Sequence, residues 1–270
     1  MIRLFRKIRQ KLLSENEYSL YILYASGEIV LVVIGIFLAL QIDNWNENRK
    51  EENTVKDYAV SLVHDLEEDL IMVNEIILQS NDIVKRINSL GNYVQNKKME
   101  DISNIYVLCL TLNKPHRPYI WNRATADELK STGILGFVKD ETLSKMIANY
   151  DALTHHLDVD YINDRVQFEK TTALTTTIVN NNYPNFNELH AMLLPLNNVR
   201  DYDFTDSKEY YQAEAYNLRL ISNDINELHK AVNNFNLLKA YLQMRTDYEL
   251  PELIEKAEKL ISLLKETYID

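Results

Sequence analysis

At 270 residues the chain can bury a substantial core, and five glycines with five prolines are too few for collagen, linker-rich disorder or a turn-dense β-sandwich. Its 29 basic and 40 acidic side chains leave a formal charge of −11, which repels a phosphate backbone and excludes DNA and RNA as expected partners. With 46% apolar residues and so little glycine and proline, one dominant helical domain is favoured.

The charge is unevenly placed. Residues 1–19 carry five bases, Arg3, Arg6, Lys7, Arg9 and Lys11, against Glu15 and Glu17, whereas from Asp43 onward 24 bases face 37 acids. In this basic head Ile2, Leu4, Phe5, Ile8, Leu12 and Leu13 fall mostly at helical spacing. That pattern suits a helix lying on anionic lipid, and it suits equally a plain topogenic tail or a partner-binding cytoplasmic helix.

Leu20 to Leu40 is apolar or weakly polar apart from Glu28, and it ends in an unbroken apolar run from Ile29. At ~1.5 Å per residue such a helix spans roughly 31 Å, about one hydrocarbon core. Tyr18, Tyr21 and Tyr24 on one side and Trp45 on the other are placed as interfacial anchors. We therefore expect a transmembrane helix over 20–42. The positive-inside rule puts residues 1–19 in the cytoplasm and 43–270 outside it. A cleaved signal peptide is the rival, but Leu38-Ala39-Leu40 is a poor cleavage triplet. No later stretch approaches 18 apolar residues, so the chain is expected to cross once.

Beyond the span, Val55, Ala59, Leu62, Leu66, Leu70, Val73, Ile77 and Ile87 mark a first long helix, starting near Trp45 and stopping at Leu90 before Gly91-Asn92. A second helical segment runs from Asp101 to Leu112. Asp140 is the expected N-cap of a third, long helix that breaks at Asn180-Asn-Asn-Tyr-Pro184. The fourth begins after Asp206, with Glu209 three residues on, and continues through Tyr211, Leu218, Ile221 and Leu228 to Leu242. Pro251 then opens a short last helix through Leu264. The fold expected is all-α: one N-terminal transmembrane helix followed by an elongated antiparallel helical bundle.

Met1 to Asn16, Gly27-Glu28-Ile-Val-Leu-Val-Val-Ile-Gly-Ile36 and Ala39-Leu-Gln-Ile-Asp-Asn-Trp-Asn-Glu-Asn-Arg49 together resemble an uncharacterised family of bacterial single-span membrane proteins. Thr125-Ala-Asp-Glu-Leu-Lys-Ser-Thr-Gly133, with Leu143 and Tyr150, resembles a second, looser signature of that family, while Ser26 and Asp43 stand where isoleucine and asparagine are expected. The resemblance transfers no activity. It implies a bacterial envelope setting, with the chain in the inner membrane and the bundle in the periplasm.

On a helix at ~100° per residue, Gly35 and Ala39 lie about 20° either side of Glu28, so the three share a stripe. Gly35-x-x-x-Ala39 is a small-residue pair that permits close helix approach, so Glu28 either faces a partner helix within the membrane or sits at the inner headgroups beside the basic head. Pro115-His-Arg-Pro-Tyr-Ile-Trp-Asn-Arg123 offers Arg117, Tyr119, Trp121 and Arg123 as a contact loop, or as a loop packed over the bundle end. Thr125 and Glu128 read as a capping box and Gly133 as a helix stop.

Other chemistry is sparse. His64, Asp65, Glu68 and Asp69 form i,i+4 pairs, and Asp151, His155, His156, Asp158 and Asp160 form a mixed cluster, but runs of charge on long helices are usually solvated faces. His116, His190 and His229 are isolated. Cys109, the single cysteine, reads as a small buried hydrophobe. With no catalytic glycine motif and no nucleophile, no cofactor, metal or catalytic residue is expected. The leading expectation is a membrane-anchored structural or interaction protein whose partners are the bilayer and a second copy or another membrane protein. A subunit of a sensing or ion-driven complex using Glu28 comes next, and an envelope enzyme without a recognisable site third.

Overall fold

The structure is a computed structural model describing residues 18–95, 97–112, 119–138, 140–193 and 203–269; all five bases of the head, Arg117 and His116 lie outside them. The described residues are helical with no strand. In chain order they form α1 (Tyr18–Gln95), α2 (Asn104–Thr111), α3 (Ala124–Ser131), α4 (Glu141–Ile178), α5 (Phe186–Leu193), α6 (Lys208–Glu214), α7 (Ile225–Met244) and α8 (Leu250–Leu264). The chain divides into two compact units, Met1–Asp57 and Tyr58–Asp270.

In the first unit the described backbone is the N-terminal part of α1, which runs without interruption where two successive helices were expected. No proline lies within it, and Gly27, Gly35 and Gly91 all stay helical. Gly91-Asn92 does not stop it either: Val94, one turn beyond Leu90, is buried and draws the helix on to Gln95.

The second unit has two apolar clusters. In one, Ile83 to Val94 of α1 pack with α2, α5, α6, the end of α4 and α7 from Leu228 to Leu242. In the other, Ala59 to Ile76 of α1 pack with α3, the N-terminal half of α4 and α8. These two clusters place α1 and α4 in the same direction. Against α4 the rod of α7 and α8 runs antiparallel, since Gln167 bonds the Asn234 carbonyl while Asp160 pairs with Arg245, just past the end of α7.

Helix ends follow local chemistry. Asp140 caps α4 by accepting from the Thr142 N–H at 2.8 Å, and Gly133, at φ 75°, terminates the turn after α3 as its sequence position predicts. Three further expectations are overturned. The fourth helix is split: α6 ends at Glu214, Asn217 turns left-handed at φ 51°, and Ile221 N–H donates to the Ile178 carbonyl at 2.8 Å, so the apolar residues at helical spacing here lie on non-helical chain. Asp224 then starts α7 by accepting from the Asn226 N–H. Ser207, not Asp206, caps α6. Thr125 and Glu128 form no capping box; Arg123 precedes α3 in helical conformation, Thr125 is buried in the first turn, and Glu128 is hydrogen-bonded to Tyr58.

Pro251 stands in the first turn of α8, which ends at Leu264 as expected, but no loop precedes it. Between α7 and α8 the backbone remains helical through a π-turn, Arg245–Glu249. A proline in a regular helix removes one hydrogen bond and clashes with the carbonyl four residues back, and widening the preceding turn relieves both.

Candidate functional site

The apolar run is the first candidate. Eleven residues, Ile29 to Ile34, Ile36, Phe37, Leu38, Leu40 and Ile42, are each 48–65% exposed. Six consecutive positions, Ile29 to Ile34, already pass more than one full turn of a helix, so this is no amphipathic stripe awaiting one neighbour. It is a helix long and apolar enough to cross a membrane, with none of its most apolar window buried. Of the stripe residues, Glu28 is half-buried and Ala39 exposed, and a Cβ added at Gly35 would meet nothing within 4 Å. At its far end the Arg49 guanidinium lies over the exposed Trp45 ring, 5.7 Å from its centre.

The second candidate is polar and lies between α1, α4 and the segment after the contact loop begins. Asp69, 2% exposed, accepts at 2.9 Å from the Asn122 N–H, at 3.2 Å from Asn122 Nδ2, and at 2.8 Å from the Tyr150 hydroxyl. Burial pushes its carboxyl above the ordinary range, against these three hydrogen bonds. Burial, with the Asp69 charge, likewise pushes the Tyr150 phenol far up. Trp121 Nε1–H donates to Asp158 at 2.9 Å, and Arg123 reaches Asp158 at 2.7 Å and Thr154 Oγ1 at 3.0 Å. Tyr119 is buried and stacks on Trp121, ring centres 5.0 Å apart.

Three of the four contact-loop residues are thus bound within the second unit. The sequence clusters at 64–69 and 151–160 also meet: Asp65, Asp69 and Asp151 line one cavity of about 10 Å³, the scale of a single water. The Asp65 Oδ2 and Asp151 Oδ1 atoms are buried without a hydrogen bond among the described residues, while Lys130 holds the other Asp151 oxygen at 2.6 Å. His64 and His155 point outward and are exposed.

A third grouping was not legible as such. Arg245 on the π-turn bonds Asp164 at 3.1 Å, Asp160 at 3.3 Å and Glu249 at 2.6 Å, and Asp164 is 1% exposed. The cost of desolvating this guanidinium is outweighed by Asp164, Glu249 and Asp160, which hold its pKa above the ordinary value. The signal was available: Leu62, Asp69 and Ile76, Leu157, Asp164 and Thr171, and Leu238 and Arg245 are heptad steps, so each charge occupies a core position.

Cys109 is fully buried and burial pushes its thiol up to about 12. His190 stacks on Phe186, ring centres 6.3 Å apart, and His229 is exposed.

The chain is similar over residues 28–157 to a family of unknown function (DUF6090). That stretch takes in the apolar run from Glu28, the Asp69 network and its partners on α4 as far as Leu157. No curated protein and no solved structure matches the chain.

Proposed function

We propose that the chain is a single-span, membrane-anchored structural or interaction component of a bacterial envelope, its N-terminus cytoplasmic and residues 43–270 in the periplasm. The observation that carries the reading is the all-round exposure of the apolar run. A protein partner covers one face of a helix, whereas hydrocarbon covers all of them, and each Leu, Ile, Phe or Val at the centre of a span favours insertion by about 0.3–0.6 kcal/mol. Orientation rests on the five bases before the span and the acidic excess after it. The interaction role rests on the described polar side chains that join one helix to another, as Asp69 does with Tyr150 and Arg245 with Asp164.

The open face at Gly35 favours a second, narrower reading in which the Glu28, Gly35 and Ala39 stripe meets another transmembrane helix, as in a sensing or ion-driven complex. A transmembrane association assay on Gly35→Leu and Glu28→Gln separates the cases. Loss of association in Gly35→Leu with Glu28→Gln tolerated supports a structural contact. Loss of function in Glu28→Gln with association retained favours a titrating carboxylate. Unchanged association in Gly35→Leu means that the stripe faces lipid and the span only anchors.

A further inference from the structure

Arg245 engages one oxygen of Asp160, Oδ1, and one of Glu249, Oε2. The remaining oxygens, Asp160 Oδ2 and Glu249 Oε1, turn to His156 Nε2, at 3.1 and 3.9 Å, and the three atoms lie within 4.8 Å of one another. Asp160 Oδ2 is buried and makes no hydrogen bond of good geometry, and His156 Nε2, 3.1 Å away, is its ion-pair partner when protonated and a fellow ligand for a cation when it is not. His156 and Asp160 are one turn apart on α4, and Glu249 is brought to them by the π-turn, a local geometry that recurs at functional sites. From this arrangement we propose that His156, Asp160 and Glu249 form a site for a divalent transition-metal ion.

Charge and ligand chemistry agree. Asp160, Asp164 and Glu249 set three carboxylates against the single guanidinium of Arg245, an excess that a divalent ion offsets. Arg245 acts as the outer partner that orients both ligating carboxylates, the role such groups play around metal ions. One imidazole with two carboxylates suits Zn²⁺ or Mn²⁺, whereas Mg²⁺ and Ca²⁺ prefer oxygen alone. His156 is the accessible member, its side chain 57% exposed, which leaves an entry path and room for water to complete the coordination. The inference is independent of the membrane reading.

Isothermal titration of the full chain in mild detergent with Zn²⁺, and separately with Mg²⁺, tests it. One Zn²⁺ per chain is expected, weakened roughly 10–100-fold or more in His156→Ala, unchanged in His155→Ala, and with no comparable Mg²⁺ uptake. His156 is at the surface, so its variant keeps the fold, and a circular-dichroism spectrum verifies this. Absence of stoichiometric Zn²⁺ binding overturns the proposal, as does binding that survives His156→Ala or is lost equally in His155→Ala.

Discussion

Asp69 and Arg245 are charges at positions where the heptad spacing calls for apolar side chains, and each is tolerated for a different reason. Asp69 is surrounded by three donors on Asn122 and Tyr150, yet burial still raises its pKa. A carboxyl whose folded pKa is raised binds its proton more tightly when folded, so its contribution to stability is fully present below the unfolded value and is lost as pH rises through the folded one. Asp69→Asn removes this titration. Denaturant melts of the two proteins should show wild type losing stability relative to Asp69→Asn as pH rises from about 4 to 7. A difference constant over that range contradicts the assignment.

Arg245 is held by charge pairing, and Asp164 opposite it is nearly inaccessible. Arg245→Ala removes the cation shared by Asp164, Asp160 and Glu249, at a cost of about 3–5 kcal/mol, whereas Arg245→Met with Asp164→Leu replaces the innermost pair by packing and should recover part of the loss. Equal unfolding free energies for the single and double variants contradict this. At Cys109, a buried thiol pushed up to about 12 should resist a thiol reagent at pH 8 and react on unfolding.

At the scale of elements, the long helices carry the fold through fully buried leucines. Leu143 in α4 and Leu250 in α8 are both wholly inaccessible. Truncating either to alanine should cost about 2–5 kcal/mol, read as a lowered denaturation midpoint, while Asp140→Ala, which removes only the cap of α4, should cost about 1 kcal/mol. Helix identity was legible where one periodic face is buried, as along α1 and α4, and where a cap is isolated, as at Asp140. It failed where the same periodicity falls on non-helical chain, as at Leu218 to Ile221. The candidate sites divide in the same way. The clusters at 64–69 and 151–160 were visible as spacing within one helix. Their meeting, and the arrival of Glu249 and Arg245, depend on packing between distant segments, for which the only local hint was charge on a core stripe.

For the molecule as a whole, the physical claim is a division of solvents. Ile29 to Ile42 present exposed apolar side chains around the helix, the surface that the proposed membrane span would place in hydrocarbon, whereas the Tyr58–Asp270 unit buries its own apolar clusters. In the proposed topology the basic head and the acidic far side decide which way the span points. Alkaline phosphatase, active only outside the cytoplasm, can be fused after Asp270 and its activity assayed in the membrane pellet after alkaline extraction of bacterial cells. The account predicts active enzyme that stays in the pellet. Inactive enzyme would reverse the orientation, and active enzyme released to the soluble fraction would mean that the apolar run does not anchor the chain.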